Sequence, residues 1–148
     1  MFNKRPSRKS IRHRPYQIGQ RLPTLSACDL LDNKQYLDSL ESLAKYADLP
    51  DEHFVLLYQG VITKFAELVQ LIPDGPTQAV GSLFSHSLRR ATNTVHVFAT
   101  HFDNIHPRET YALFTATLFK DISLVLTHYK VLLTADSGKT TGLWHRFE

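Results

Sequence analysis

Apolar residues recur at helical spacing along most of this chain, and beyond about Leu126 that spacing is lost. A stripe repeating every three or four residues can bury itself only if the backbone is helical and packs against other helices. A first short helix is expected from Leu25 to Leu31, opened by Pro23-Thr24. Asn33 is a plausible cap for a second, with Leu37, Leu40, Leu43, Ala44 and Ala47 inward. Asp48-Leu-Pro50-Asp-Glu52 interrupts the pattern and restarts it, since proline suits a first turn and acids suit a helix N-terminus. Phe54, Leu57, Tyr58, Val61, Phe65, Leu68 and Val69 then mark a long helix that ends at Ile72-Pro-Asp-Gly-Pro76.

A further helix is expected from about Ser82 to Phe102, on Leu83, Phe84, Leu88, Ala91, Val95, Phe98, Ala99 and Phe102. After a loop from Asn104 to Pro107, another starts near Arg108, with Tyr111, Phe114, Leu118, Ile122 and Leu126 inward. The end of the chain changes period. Tyr129 to Thr134 is apolar and β-branched, Asp136-Ser-Gly138 is turn chemistry, and Gly142-Leu-Trp144 resumes. A small C-terminal β-hairpin is expected there. The fold class that follows is mainly α, with that hairpin at its end.

The chain has 148 residues, enough for one domain with a sizeable core. Its longest apolar runs are far too short to span a bilayer, and no apolar signal core follows the basic N-terminus. Cys28 is the single cysteine, so an intramolecular disulfide is excluded. These features point to a cytoplasmic protein without a membrane partner.

Charge divides the chain. Lys4, Arg5, Arg8, Lys9, Arg12, Arg14 and Arg21 all precede the first acid, Asp29, leaving ten basic residues against fourteen acidic ones in the remainder. Residues 1–20 therefore read as a basic, flexible arm and residues 21–148 as one mildly acidic body. The arm's Lys4, Arg5, Arg8, Lys9, Arg12 and Arg14 are candidate contacts to a nucleic-acid backbone. The alternative is a solubilising tail.

Few residues in the body point to chemistry. His86 lies inside one apolar helix, flanked by Ser85 and Ser87, and Asp121 lies inside the next. Either could ligate a metal. Residues of this kind are more often structural, His86 as a hydrogen-bonded core residue and Asp121 in an ion pair with Lys120, Arg89 or Arg90 or as a cap of the segment from Ser123. His96 and His101 are five apart, which sets them poorly on one helix face and suggests a polar surface. The serines show no readable Ser-His-Asp pattern. Arg89 and Arg90 are expected to face solvent. Asp136-Ser-Gly-Lys139-Thr-Thr141 lacks the upstream glycine of a phosphate loop and reads as a hairpin turn.

One ordered set of segments resembles a known family. It runs from Gly19 to Pro23, through Leu71-Ile-Pro73, Gly81-Ser-Leu-Phe-Ser-His-Ser-Leu-Arg-Arg-Ala91 and Leu118-Phe-Lys-Asp121, to Asp136-Ser-Gly138 and Trp144. The set is similar to the N-terminal domain of TraI-type relaxases of the MobH class, found on conjugative elements. That resemblance implies an HD-like helical domain that binds a divalent metal and processes transfer-origin DNA. It also implies that His86 and Asp121 occupy two metal-ligand positions. The family's histidine cluster would fall between Pro73 and Gly81, where this chain has no histidine. Its tandem His-Asp reads Lys120-Asp121 here, and a lysine ammonium offers a metal no lone pair. The expectation is a catalytically degenerate domain with a vestigial site at His86 and Asp121 and no tightly bound cofactor. Its expected partners are DNA or conjugative-transfer proteins. An active metal-dependent phosphodiesterase or nuclease and a plain helical interaction module are the alternatives.

If the arm contacts phosphates, DNA affinity should fall steeply with salt, with a log–log slope of about −0.9 per neutralised phosphate on duplex DNA. Deleting residues 1–15 should flatten that slope and leave the thermal melting of the body unchanged. Titrations of intact and truncated protein at several salt concentrations check both.

Overall fold

A computed structural model describes residues 24–32, 34–75, 80–123, 132–135 and 137–143. The described chain is mainly helical and carries a two-stranded antiparallel hairpin near its C-terminal end. The basic arm, Trp144, Leu126, Asn33 and Asp136 lie outside the described residues.

Helix α1 (Ala27–Leu31) starts two residues after the expected Leu25, because Ser26 caps it. The Ser26 hydroxyl accepts from the Asp29 backbone N–H at 3.3 Å. The residue before the cap is fixed from a distance. The Leu25 N–H donates to Gln70 Oε1 at 2.7 Å, and Gln70 Nε2 donates back to the Leu25 carbonyl at 3.2 Å. This paired bond holds the entry to α1 on the end of α4 (Gly60–Val69).

Helix α2 (Lys34–Ala47) buries Leu40, Leu43 and Ala47. Leu37 and Ala44, also assigned to the inward stripe, face out instead. The inward position of that turn is taken by Tyr36, whose ring meets Phe84 edge-on at 5.1 Å and whose hydroxyl lies 2.7 Å from Ser85 Oγ. An amphipathic tyrosine can serve a boundary position because its tip has a polar partner.

Asp48 ends α2 with a left-handed φ of 48°, and Pro50 opens α3 (Asp51–Phe54). A π-helical turn (Val55–Gln59) joins α3 to α4 without a break. The wider turn moves the buried stripe. Phe54, Tyr58 and Ile62, spaced by four, lie inward together and are followed by Phe65, Ala66 and Val69. Leu57 and Leu68, expected inside, are displaced to the surface, and Leu56 is left largely exposed. Nothing in the local sequence distinguishes a π turn from an α turn.

Helix α5 (Ser82–His101) packs on α6 (Pro107–Leu118), α2 and α4. Its Leu83, Phe84, Leu88, Ala91 and Val95 enter the shared core as expected. Phe98 is only half-buried and Phe102 is exposed, so the last turn and a half of the apolar stripe leaves the core. Helix α6 starts with Pro107 behind an N-cap at His106, whose Nδ1 accepts from the Arg108 N–H at 3.1 Å. Glu109 reaches back to the His106 N–H. The helix ends at Leu118, and a turn through Phe119 to Asp121 follows, so Asp121 sits in that turn and not inside the helix as expected; helical backbone resumes at Ile122 and Ser123.

Strands β1 (Leu132–Thr134) and β2 (Thr140–Leu143) pair Leu132 with Leu143 and Leu133 with Gly142, with a register shift before the Thr134–Thr140 pair. Gly138 takes the left-handed turn position at φ 86°. Among the described residues, no helix is long and apolar enough to cross a membrane.

The centre of the core contains a polar atom without a partner. Tyr58 is fully buried between Phe54, Tyr111 and Phe114, and its hydroxyl finds no hydrogen bond among the described residues. Burial, with a smaller contribution from Tyr111, pushes its pKa up to about 12. The neutral form therefore stabilises the fold fully below pH 10, and that stability is lost as pH rises toward 12. Tyr58→Phe should raise stability by about 1 kcal/mol at neutral pH, because it removes an unsatisfied buried hydroxyl. It should also remove this share of the alkaline destabilisation. Chemical denaturation of both proteins at pH 8 and pH 11 measures the two effects.

Candidate functional site

The site is built where the loop after α4 meets the N-terminus of α5. Gly81 precedes α5 with φ 80°, and a Cβ there would come 2.8 Å from the Gln70 carbonyl oxygen. Only glycine accepts both the left-handed backbone and that close approach. The turn it makes lets the start of α5 hold the loop. The Leu83 N–H donates to the Ile72 carbonyl at 3.2 Å, and the Asp74 N–H donates to Ser82 Oγ at 2.8 Å. Ile72 is buried, so the loop is anchored in the core on one side of Asp74 and on Ser82 at Asp74 itself.

So placed, Asp74 accepts a hydrogen bond from His86 Nδ1 at 2.7 Å. Both side chains are partly buried. A carboxylate on Nδ1 fixes the orientation of the ring and leaves Nε2 as its remaining nitrogen. The sequence pattern places Asp74 in the helix-ending loop Ile72-Pro-Asp-Gly-Pro76 and gives it no role of its own. It lies 12 residues before His86, and no local spacing rule links the two; only the turn at Gly81 does.

One turn further along α5, Arg90 forms an ion pair with Asp121. Of the three candidate partners for Asp121, this is the one the fold selects. Arg90 is therefore half-buried and engaged instead of facing solvent, and its Nε is buried without an acceptor among the described residues. Arg89 is exposed, as expected. Lys120 is exposed as well.

The fold thus brings Asp121 to within one turn of His86 on α5, but each has its own partner. Among the described residues, no group of three or more His, Cys, Asp and Glu side chains could hold a metal ion. A divalent transition metal needs several converging lone pairs. Here one imidazole nitrogen is taken by Asp74 and one carboxylate by Arg90.

The other flagged residues have structural roles. Ser85 is bonded to Tyr36, and the Ser87 hydroxyl is buried without a partner among the described residues. His96 is exposed and its ring stacks on Tyr46 at 4.7 Å. The His101 Nδ1–H donates to the Val97 carbonyl at 2.8 Å within the last turn of α5. Lys4, Arg5, Arg8, Lys9, Arg12 and Arg14, the candidate nucleic-acid contacts, lie outside the described residues.

Alongside these pairs lies a groove of about 830 Å³ on α5, with Leu113 contributed by α6. Asp74, His86, Arg89 and Arg90 line one end, and Val97, Phe98 and Phe102 line the other. The two phenylalanines account for the part of the α5 stripe that leaves the core: their rings, 4.8 Å apart, form the groove wall. No protein-family model matches the chain, and no curated protein matches it.

Gly81→Ala should destabilise the fold by about 1–3 kcal/mol, since it combines a strained φ with a clash against backbone. It should also loosen the loop that carries Asp74. Denaturant unfolding gives the first effect, and the His86 ring resonances in NMR give the second.

Proposed function

We propose that the chain is a catalytically degenerate relaxase-like domain associated with conjugative DNA transfer. It binds nucleic acid or proteins of the transfer machinery and does not cut DNA. The observation that carries this reading is the Arg90–Asp121 ion pair. The resemblance makes Asp121 a metal ligand, yet its carboxylate is neutralised by an arginine from the helix that carries His86. Exposed Lys120 supports the same reading, because it stands where the family has a ligating histidine. The basic arm supplies the electrostatics for a phosphate backbone.

A second reading has one specific observation behind it. Asp74 holds His86 by Nδ1, the way outer carboxylates hold metal-ligating histidines. That arrangement suits an active metal-dependent phosphodiesterase, with His86 Nε2 as one ligand. It still lacks enough further ligands among the described residues to complete a site.

Metal analysis separates the two. Protein purified without chelators should contain much less than one equivalent of Mn, Fe, Ni or Zn and bind DNA in low salt without nicking it. Stoichiometric metal that is lost on His86→Ala would establish the phosphodiesterase reading. DNA binding absent at low salt would leave a protein-interaction module.

A further inference from the structure

Among the described residues, a groove along α5 and its C-cap residue Phe102 is left uncovered, with Arg89 towards one end and Phe102 at the other. Its two ends differ in chemistry. At the C-terminal end Val97 is 55% exposed and Phe102 is 58% exposed, with the Phe98 ring beside Phe102. Adjacent apolar side chains this open to solvent on a helix mark a binding surface more often than chance. At the other end stands the Arg89 guanidinium, exposed and in no ion pair among the described residues. The one carboxylate in the described lining, Asp74, is already bonded to His86. Arg90 is paired with Asp121, so Arg89 is the charged group of the described lining that has no described partner.

We propose that this groove binds a small amphipathic anion. Its carboxylate or phosphate head would be held by Arg89, and its apolar body would cover Val97, Phe98 and Phe102. The volume of about 830 Å³ falls within the range of small-molecule sites. The apolar wall from Val97 to Phe102 is under two helical turns long, too short to offer a docked helix its usual repeated anchors. Arginine suits either head group, since its planar donors match carboxylate and phosphate oxygens alike. This proposal does not rest on DNA binding.

The test uses the full chain and the fluorescent anion 1-anilinonaphthalene-8-sulfonate, a probe with one charged end and an aromatic body. Saturable one-to-one binding is expected. Dodecanoate below its micelle concentration and 1-naphthyl phosphate are the two competitors. Displacement by the first identifies an acyl carboxylate source, and displacement by the second an aromatic phosphate. Arg89→Glu should weaken dye binding about tenfold, the loss of one charge-assisted contact. Phe102→Asp should weaken it by at least as much. Both positions are exposed, so melting curves should be unchanged; Arg89→Ala and Phe102→Ser serve if either variant melts early. The proposal is overturned by the absence of saturable binding, by binding that neither substitution changes, or by equal displacement with dodecyltrimethylammonium. Displacement by an acidic amphipathic peptide but by neither small anion would overturn it in favour of a protein partner.

Discussion

The buried face of α5 is the surface that the other helices share. Leu83, Phe84, Leu88, Ala91 and Val95 meet α2, α4 and α6 in one continuous core. Because α5 touches all three, its position determines theirs. That position depends on Gly81, where a left-handed backbone passes close to the Gln70 carbonyl and directs the chain back over the end of α4. Gln70 also holds the Leu25 backbone through its side-chain amide. One short region thus sets both the entry to α1 and the start of α5.

The same helix carries nearly every polar feature of the candidate site. His86 and Arg90 are one turn apart on a part of α5 that is neither fully buried nor fully solvated. A histidine or arginine at such a boundary needs a partner, because partial desolvation penalises a charge or an unpaired donor. Asp74 and Asp121 supply those partners from two different connections, the loop before α5 and the turn after α6. The two pairs pin these connections to the helix. Ion pairs this accessible to water add modest stability, so their main effect is to fix where the loops lie.

The lower part of α5 is organised differently. Its apolar stripe continues past the point where neighbouring helices cover it, and Val97 and Phe102 remain in contact with water. An amphipathic helix that protrudes beyond its partners exposes apolar surface at a free-energy cost of about 25 cal/mol per Å². The groove is the geometric result, apolar at one end and lined by Asp74, His86, Arg89 and Arg90 at the other.

The helical class, the restart at Pro50, the core residues from Leu83 to Val95 and the existence of a C-terminal hairpin were all legible in the sequence. Each follows from local periodicity or from turn chemistry, which act over a few residues. The exposure of Arg89 was equally readable. Tertiary structure alone decided the rest. The π turn at Val55–Gln59 is followed by a stripe with Leu57 outward and Ile62 inward. Phe98 and Phe102 continued the apolar pattern, but whether they were buried depended on how far neighbouring helices cover that end of α5. Asp74 gained a partner in His86, and Arg90 rather than Lys120 became the partner of Asp121, through contacts between segments far apart in the chain. Such contacts depend on the three-dimensional path of the backbone, and a one-dimensional pattern carries no record of it.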